Sequence, residues 1–135
     1  MAPPDEVRRM TALINAERAA RNLPPLQYDA RLAQLAQRHA CDMAQNGFFS
    51  HTGSGNVTFG ERVRAAGMRG CLMSENIAMG MRSSDHAHRA WMNSRGHRQN
   101  ILRRNNSLVG LGIATPRNDR DMRWVTVFAA GCRGA

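Results

Sequence analysis

The sequence predicts helices around a small sheet, an α+β fold or an α/β/α sandwich, and three observations carry that expectation. Apolar residues in the first third recur with a helical period. Helix-start chemistry appears at Asp29, at Thr58-x-x-Glu61 and at Ser83 or Ser84. The last third holds two alternating or apolar runs, "VGLGIA" and "WVTVFAA", separated by a polar loop. Helical and strand patterns that alternate along one short chain pack as layers around one core.

Taken in order, Val7, Met10, Leu13, Ile14 and Glu17 follow the 3.6-residue period of an amphipathic helix, which the prolines of "RNLPPL" stop. Asp29 is a good N-cap for a second helix with Leu32, Leu35, Ala36, His39 and Met43 on one face, ended by Gly47. Thr58 and Glu61 have the spacing of a capping box opening a short third helix through "ERVRAAG". "CLMSENIAMG" reads as a strand, and a fourth helix runs from Ser83 or Ser84 through Ala87, Ala90 and Trp91 towards Gly96. Val109, Leu111 and Ile113 alternate with Gly110, Gly112 and Ala114, and with "WVTVFAA" they form an antiparallel hairpin.

A chain of 135 residues makes one domain, 1–135, with a real core and one expected site. No run of eighteen apolar residues predicts a membrane span. The opening "MAPPDEVRRM" has no apolar h-region, and an exported protein lacking its leader would read the same way. All 19 basic residues are arginine, and the formal net charge is +9. Guanidinium groups grip carboxylates and phosphates bidentately. They are scattered, with only Arg8/Arg9 and Arg103/Arg104 adjacent, and no nucleic-acid motif lies among them. A solvated basic surface is the first reading, an anionic cell-wall polymer or lipid headgroup the next partner, and nucleic acid the last.

Cys41, Cys71 and Cys132 lack metal-cluster spacing. One disulfide and one free thiol fit the count, with Cys71 and Cys132 as the pair clipping neighbouring strands and Cys41 a small residue of the second helix.

The ionisable inventory is short: Glu6, Glu17, Glu61 and Glu75, with five histidines. His86 and His88 stand two apart on a helix, about 200° around its axis, so they cannot chelate one ion and read as surface residues. His39, on an apolar stripe, reads as a hydrogen-bonded core residue. His51, Glu61, Glu75 and His97 differ, because each stands where an element meets a polar or Gly-rich loop: "FSHTG", "FGERV", "MSENIA", "SRGHRQN". Spacing alone leaves two readings open, a shared site or separate local roles, with Glu61 closing its capping box, Glu75 accepting backbone donors and each histidine capping a helix end.

These segments together resemble the CAP superfamily, the SCP-like extracellular domain of cysteine-rich secretory proteins, antigen 5 and plant pathogenesis-related 1 proteins, in a bacterial form. The likeness runs through "LINAERAARNLPPLQYDARLAQLAQRHACDMA", "FFSHTG", "GERVRAAG", "SENIAMG", "AWMNSRGHRQNIL" and the two closing strands. The resemblance implies an α/β/α sandwich with a small central antiparallel sheet flanked by helices, and a cleft lined by a tetrad, here His51, Glu61, Glu75 and His97. His51 and His97 would then hold a divalent metal such as zinc, with the carboxylates orienting rings or waters. It also implies a secreted or periplasmic protein, a noncatalytic binding or signalling module at the envelope. The alternative is a hydrolase, metal-dependent or using Ser50, Ser74 or Ser94, though there is no H-E-x-x-H and no G-x-S-x-G. "GHRQNIL" replaces the strand usual in animal and plant members, so their lipid-binding loops are not expected here.

Overall fold

The computed structural model describes residues 4–68, 70–116 and 121–131. Helix α1 spans Pro4–Ala19, strand β1 Gln27–Tyr28 and helix α2 Ala30–Asn46. A 3₁₀ turn at Ser54–Asn56 leads to α3, Phe59–Ala65, and β2, Leu72–Met79. Helices α4, Ser84–Met92, and α5, Arg95–Leu102, precede β3, Asn106–Ala114, and β4, Arg123–Ala130.

The local signals form as their chemistry requires. Asp29 accepts from the amides of Arg31 and Leu32, and Gly47 closes α2 in the left-handed region at φ 67°. Thr58 and Glu61 complete both halves of the capping box. Ser83 caps α4 through the His86 amide. The fourth helix does not reach Gly96: it stops at Met92, and a separate α5 starts at Arg95 with Ser94 as its N-cap residue. His97 therefore sits inside a helix and not in a loop.

The sheet order is β1-β3-β4-β2. β2 and β3 both run antiparallel to β4 in long ladders, so the expected hairpin and its partner strand are present. β1 adds a two-residue parallel pairing at the β3 edge, which makes the sheet mixed at that edge. One core lies under α1, α4 and α5 and contains Met10, Ile14, Trp91, Ile101, Leu111 and Trp124. The other lies under α2 and α3 and contains Leu32, Ala36, Met43, Ile77, Val125 and Val127. Helices thus cover both faces of one sheet, the predicted three-layer sandwich.

Two features set the layer spacing. The glycines of "VGLGIA" face α2, not solvent: a β-carbon on Gly110 would fall 2.7 Å from Leu32 Cβ and inside the Ala33 backbone, and one on Gly112 inside that of Gln37. Helix and strand backbones touch there because no side chain separates them. Arg18 is fully buried, contrary to a uniformly solvated arginine surface. Its guanidinium donates to the carbonyls of Pro24 (2.8 Å), Ile101 (2.9 Å), Arg103 (2.9 Å), Asn106 (3.4 Å) and Arg104 (3.5 Å). Cys41 on α2 is a free thiol. Cys132, half of the expected disulfide, lies outside the described residues.

Candidate functional site

The loop that carries His51 is pinned from below by α2. His39, buried as expected of a core histidine, bonds through Nε2 to the Ser50 carbonyl at 2.7 Å. One turn on, Asp42 accepts from the Ser54 amide at 2.9 Å and from the Ser54 hydroxyl. The backbone bridge between Gly53 and Val57 closes the loop. The chain enters α3 directly afterwards, which fixes where Glu61 and Arg62 point.

Glu75 is the anchor of the site. It stands on β2 opposite Val127, and its carboxylate is 1% exposed. His51 Nδ1 meets Oε1 at 2.8 Å, while Arg62 donates to Oε2 and Oε1, each at 3.0 Å. The second Arg62 nitrogen also donates to the His51 carbonyl at 2.7 Å. Burial alone would raise the Glu75 carboxyl, but the hydrogen bonds from His51 and Arg62 and the Arg62 charge outweigh it and hold the group below its usual range. A carboxylate fixed in this way accepts a proton bond at Nδ1 and leaves His51 Nε2 facing out, with half of the side chain exposed.

His97 approaches from the other layer. Its Nδ1 lies 2.9 Å from the Ser94 hydroxyl, and the Asn76 side-chain amide donates to its carbonyl at 3.1 Å. Asn76 in turn accepts from Asn100, whose carbonyl accepts from Asn106, so β2, α5 and β3 are joined by an asparagine chain. Burial, then the charge of the neighbouring His51, pushes the His97 imidazole down. Glu61 is less involved. It is exposed, its Oε1 accepts the Thr58 amide at 3.0 Å, and that bond holds its carboxyl low. Of the four residues singled out in the sequence, His51 and Glu75 touch, His97 lies close by, and Glu61 is occupied as a cap.

Among the described residues no group of three or more His, Cys, Asp and Glu side chains gathers as a metal cage. The donor chemistry of the two histidines nevertheless fits a divalent ion: each ring has its Nδ1 engaged, by Glu75 and by Ser94, and keeps Nε2 for a ligand. Nucleophilic serine chemistry fits less well. The carboxylate–histidine pair is Glu75–His51, whereas the serine–histidine pair is Ser94–His97, so the parts of a triad are divided between two rings.

The expectation of two surface histidines on α4 holds for His86 alone. His88 is buried, and its Nε2 faces Glu17 Oε2 at 3.3 Å across α1. Sequence reasoning also missed Arg62 and Asn76, although each directly follows a glutamate it had singled out.

Helices on both faces of one sheet, with a histidine from the loop after the second helix bonded to a buried glutamate of the sheet, define an α/β/α sandwich domain that carries a polar site. The chain belongs to the cysteine-rich secretory protein family, CAP, whose model matches residues 11–129. It is 35% identical over 108 residues to the protein YkwD of Bacillus subtilis, an alignment covering 78% of this chain and 41% of that one. A crystal structure of an extracellular protein containing a SCP domain from Bacillus anthracis superposes with a TM-score of 0.81 at 28% identity, over 96% of this chain and 44% of that one. An outer surface protein from Borrelia burgdorferi superposes at 0.85 with 20% identity, over 97% of this chain and 96% of its own. The chain thus spans less than half the length of YkwD. No described helix is long and apolar enough to cross a membrane.

Proposed function

We propose that this chain is an exported CAP domain that acts as a noncatalytic binding module at the cell envelope, with a divalent metal, zinc the leading candidate, taken by His51 and His97. The observation that carries this reading is the engagement of both Nδ1 atoms, by Glu75 and by Ser94, so that Nε2 of each ring is the nitrogen left for a ligand. Glu75 and Arg62 orient the first ring from behind, and Ser94 and Asn76 position the second. A bound zinc ion would supply Lewis acidity and open positions for a ligand's oxygen or nitrogen atoms. The division of the triad parts between the two rings favours binding over a serine-type hydrolase. Exposed arginines, among them Arg38, Arg64, Arg95 and Arg103, suit an anionic wall polymer or headgroup as partner. Export is supported by what the Bacillus anthracis protein is described to be. A Cys71–Cys132 disulfide is part of this proposal, since Leu72, the neighbour of Cys71 in the chain, pairs with Ala130 in the ladder.

Calorimetry with zinc tests the reading. His51→Ala or His97→Ala abolishes binding, Glu75→Gln weakens it by about 10- to 100-fold through the lost carboxylate charge behind His51, and His86→Ala leaves it unchanged. Affinity falls as the solution is made acid, because protons compete for the same nitrogens. Undiminished binding in a folded His51→Ala/His97→Ala double variant overturns it, and zinc-dependent hydrolysis of peptides or esters that chelation removes would replace it with the hydrolase.

A further inference from the structure

The open edge of the sheet holds unspent hydrogen-bonding capacity. β1 covers β3 only at Leu108 and Val109 before the chain turns into α2. The Asp29 amide donates to the Val109 carbonyl at 2.9 Å, so Val109 directs its peptide groups to that edge. Strand geometry repeats every second residue, and Leu111 and Ile113 therefore direct theirs the same way, away from β4. At Ile113 a side chain answers: Gln37 donates to the carbonyl at 2.7 Å and accepts from the amide at 3.1 Å. A side-chain amide there takes the place of a neighbouring peptide group. Leu111, between these two positions, has no such partner among the described residues.

Leu111 also forms part of a groove of about 1030 Å³ between α1 and α2. Its exposed surface is mostly apolar, with Ala12 on one side, Ala33 on the other and half-exposed Tyr28 at the end where β1 stops, and Asn15, Gln34 and Gln37 add polar groups. Arg8 and Arg31 line it, one from each helix. Each is paired to an aspartate on or beside its own helix, Arg8 to Asp5 at 3.0 Å and Arg31 to Asp29 at 3.2 Å, with Arg8 largely in solvent and Arg31 about half so. Pairs of that kind are weak enough for an incoming carboxylate to displace. His51 and His97 do not line this groove.

We propose that the groove docks an acidic, extended peptide segment of a partner protein, which adds to the sheet beside β3 by hydrogen-bonding to Leu111 and sets its carboxylates against Arg8 and Arg31. A saturated acyl chain would fill the walls but leave the Leu111 amide and carbonyl dry and unpaired, whereas a peptide satisfies both. The formal net charge of +9 favours an acidic partner in the same sense.

The test is an NMR titration of the ¹⁵N-labelled chain with a pool of capped hexapeptides that carry Asp at each end and Val, Ile, Thr or Ala between. The Leu111 and Ile113 amide signals shift saturably at or below about 1 mM peptide, and Leu111 amide exchange slows about tenfold or more. Backbone N-methylation of the pool, which deletes its donors, removes the effect, as does Ala12→Trp, a change at an exposed position that fills the groove. Arg8→Glu with Arg31→Glu weakens binding about tenfold and lowers its salt dependence. An unmoved Leu111 signal at about 1 mM overturns the proposal. So does equal binding by the N-methylated pool, saturable shifts at these positions with decanoate but not with peptide, or a dimer of the free chain that Ala12→Trp dissociates.

Discussion

Replacing Arg62 by methionine isolates the electrostatics on which the cleft is built. Met retains most of the side-chain volume and removes the charge that faces a carboxylate 1% exposed. At the observed 3.0 Å, and with an effective dielectric constant near 20, the gross attraction is about 5.5 kcal/mol. Stripping one partner from a buried pair costs about 3–5 kcal/mol. Arg62 is itself 13% exposed, so water reaches the gap and the lower end, about 3 kcal/mol, is expected. Glu75→Gln alone keeps an acceptor for His51 Nδ1 but turns an amide against the guanidinium, and costs about 2 kcal/mol. The double variant buries no charge at Glu75 and retains the amide–His51 bond, so its loss falls short of the sum by about 1.5–3 kcal/mol. Urea unfolding of the four proteins at pH 7 measures this coupling. The pH dependence gives a second reading. The wild-type Glu75 carboxyl is held below its usual value, so its stabilisation is present above about pH 4.5 and is lost as pH falls through the folded value. In Arg62→Met only the His51 bond still opposes burial directly, so the carboxyl rises from its wild-type position, and the gap between variant and wild type is widest near neutrality and closes in acid. Strict additivity in the cycle, or a gap that widens in acid, would refute this account of the cleft.

Other outcomes follow from the same structure. Gly110→Ala drives a β-carbon into the α2 backbone and destabilises by about 1–3 kcal/mol or more, seen in the urea midpoint, because neither helix nor strand can yield alone. Buried His39 and His88 are both pushed down, chiefly by burial, and so remain neutral when folded but protonate when unfolded below about pH 6.5. Stability is therefore lost as pH falls below that value, and His39→Gln flattens the slope in a melting series across pH 5–7. A thiol assay on denatured protein purified under oxidising conditions yields one reactive group if Cys71 and Cys132 are joined, and three would remove both the disulfide and the main chemical argument for export.

What could be read in advance was local chemistry. Asp29, Gly47, Thr58 with Glu61, and Ser83 act on backbone groups within a few residues, so their roles stand in consecutive letters of the sequence. His51 and Glu75 could be singled out because they border loops, though composition and spacing left their meeting open and the family likeness supplied it. Arg62 was hidden among 19 arginines, since nothing local distinguishes a guanidinium that will be enclosed by a distant strand. α5 was missed because Gly96 resembles a helix stop, yet it occupies the first turn of a new helix whose cap makes no side-chain bond. The glycines of β3 alternated like a solvent face because an absent side chain gives no apolar signal, and the helix residues it admits lie 75 to 78 positions earlier. β1, at two residues, has no period to detect.

Arg18 has a consequence for the order in which the molecule comes together. Its five acceptors belong to a segment just after α1 and to the junction of α5 with β3, 83 to 88 residues further along the chain. A guanidinium sheltered from water before those carbonyls arrive would be unsolvated and unanswered, so the apolar layer around it cannot close early. The end of α1, the end of α5 and the start of β3 must therefore lock, and release, as one cooperative unit. Slow hydrogen exchange should group amides from the two remote segments by a shared opening event, with one long chain closure governed by one side chain.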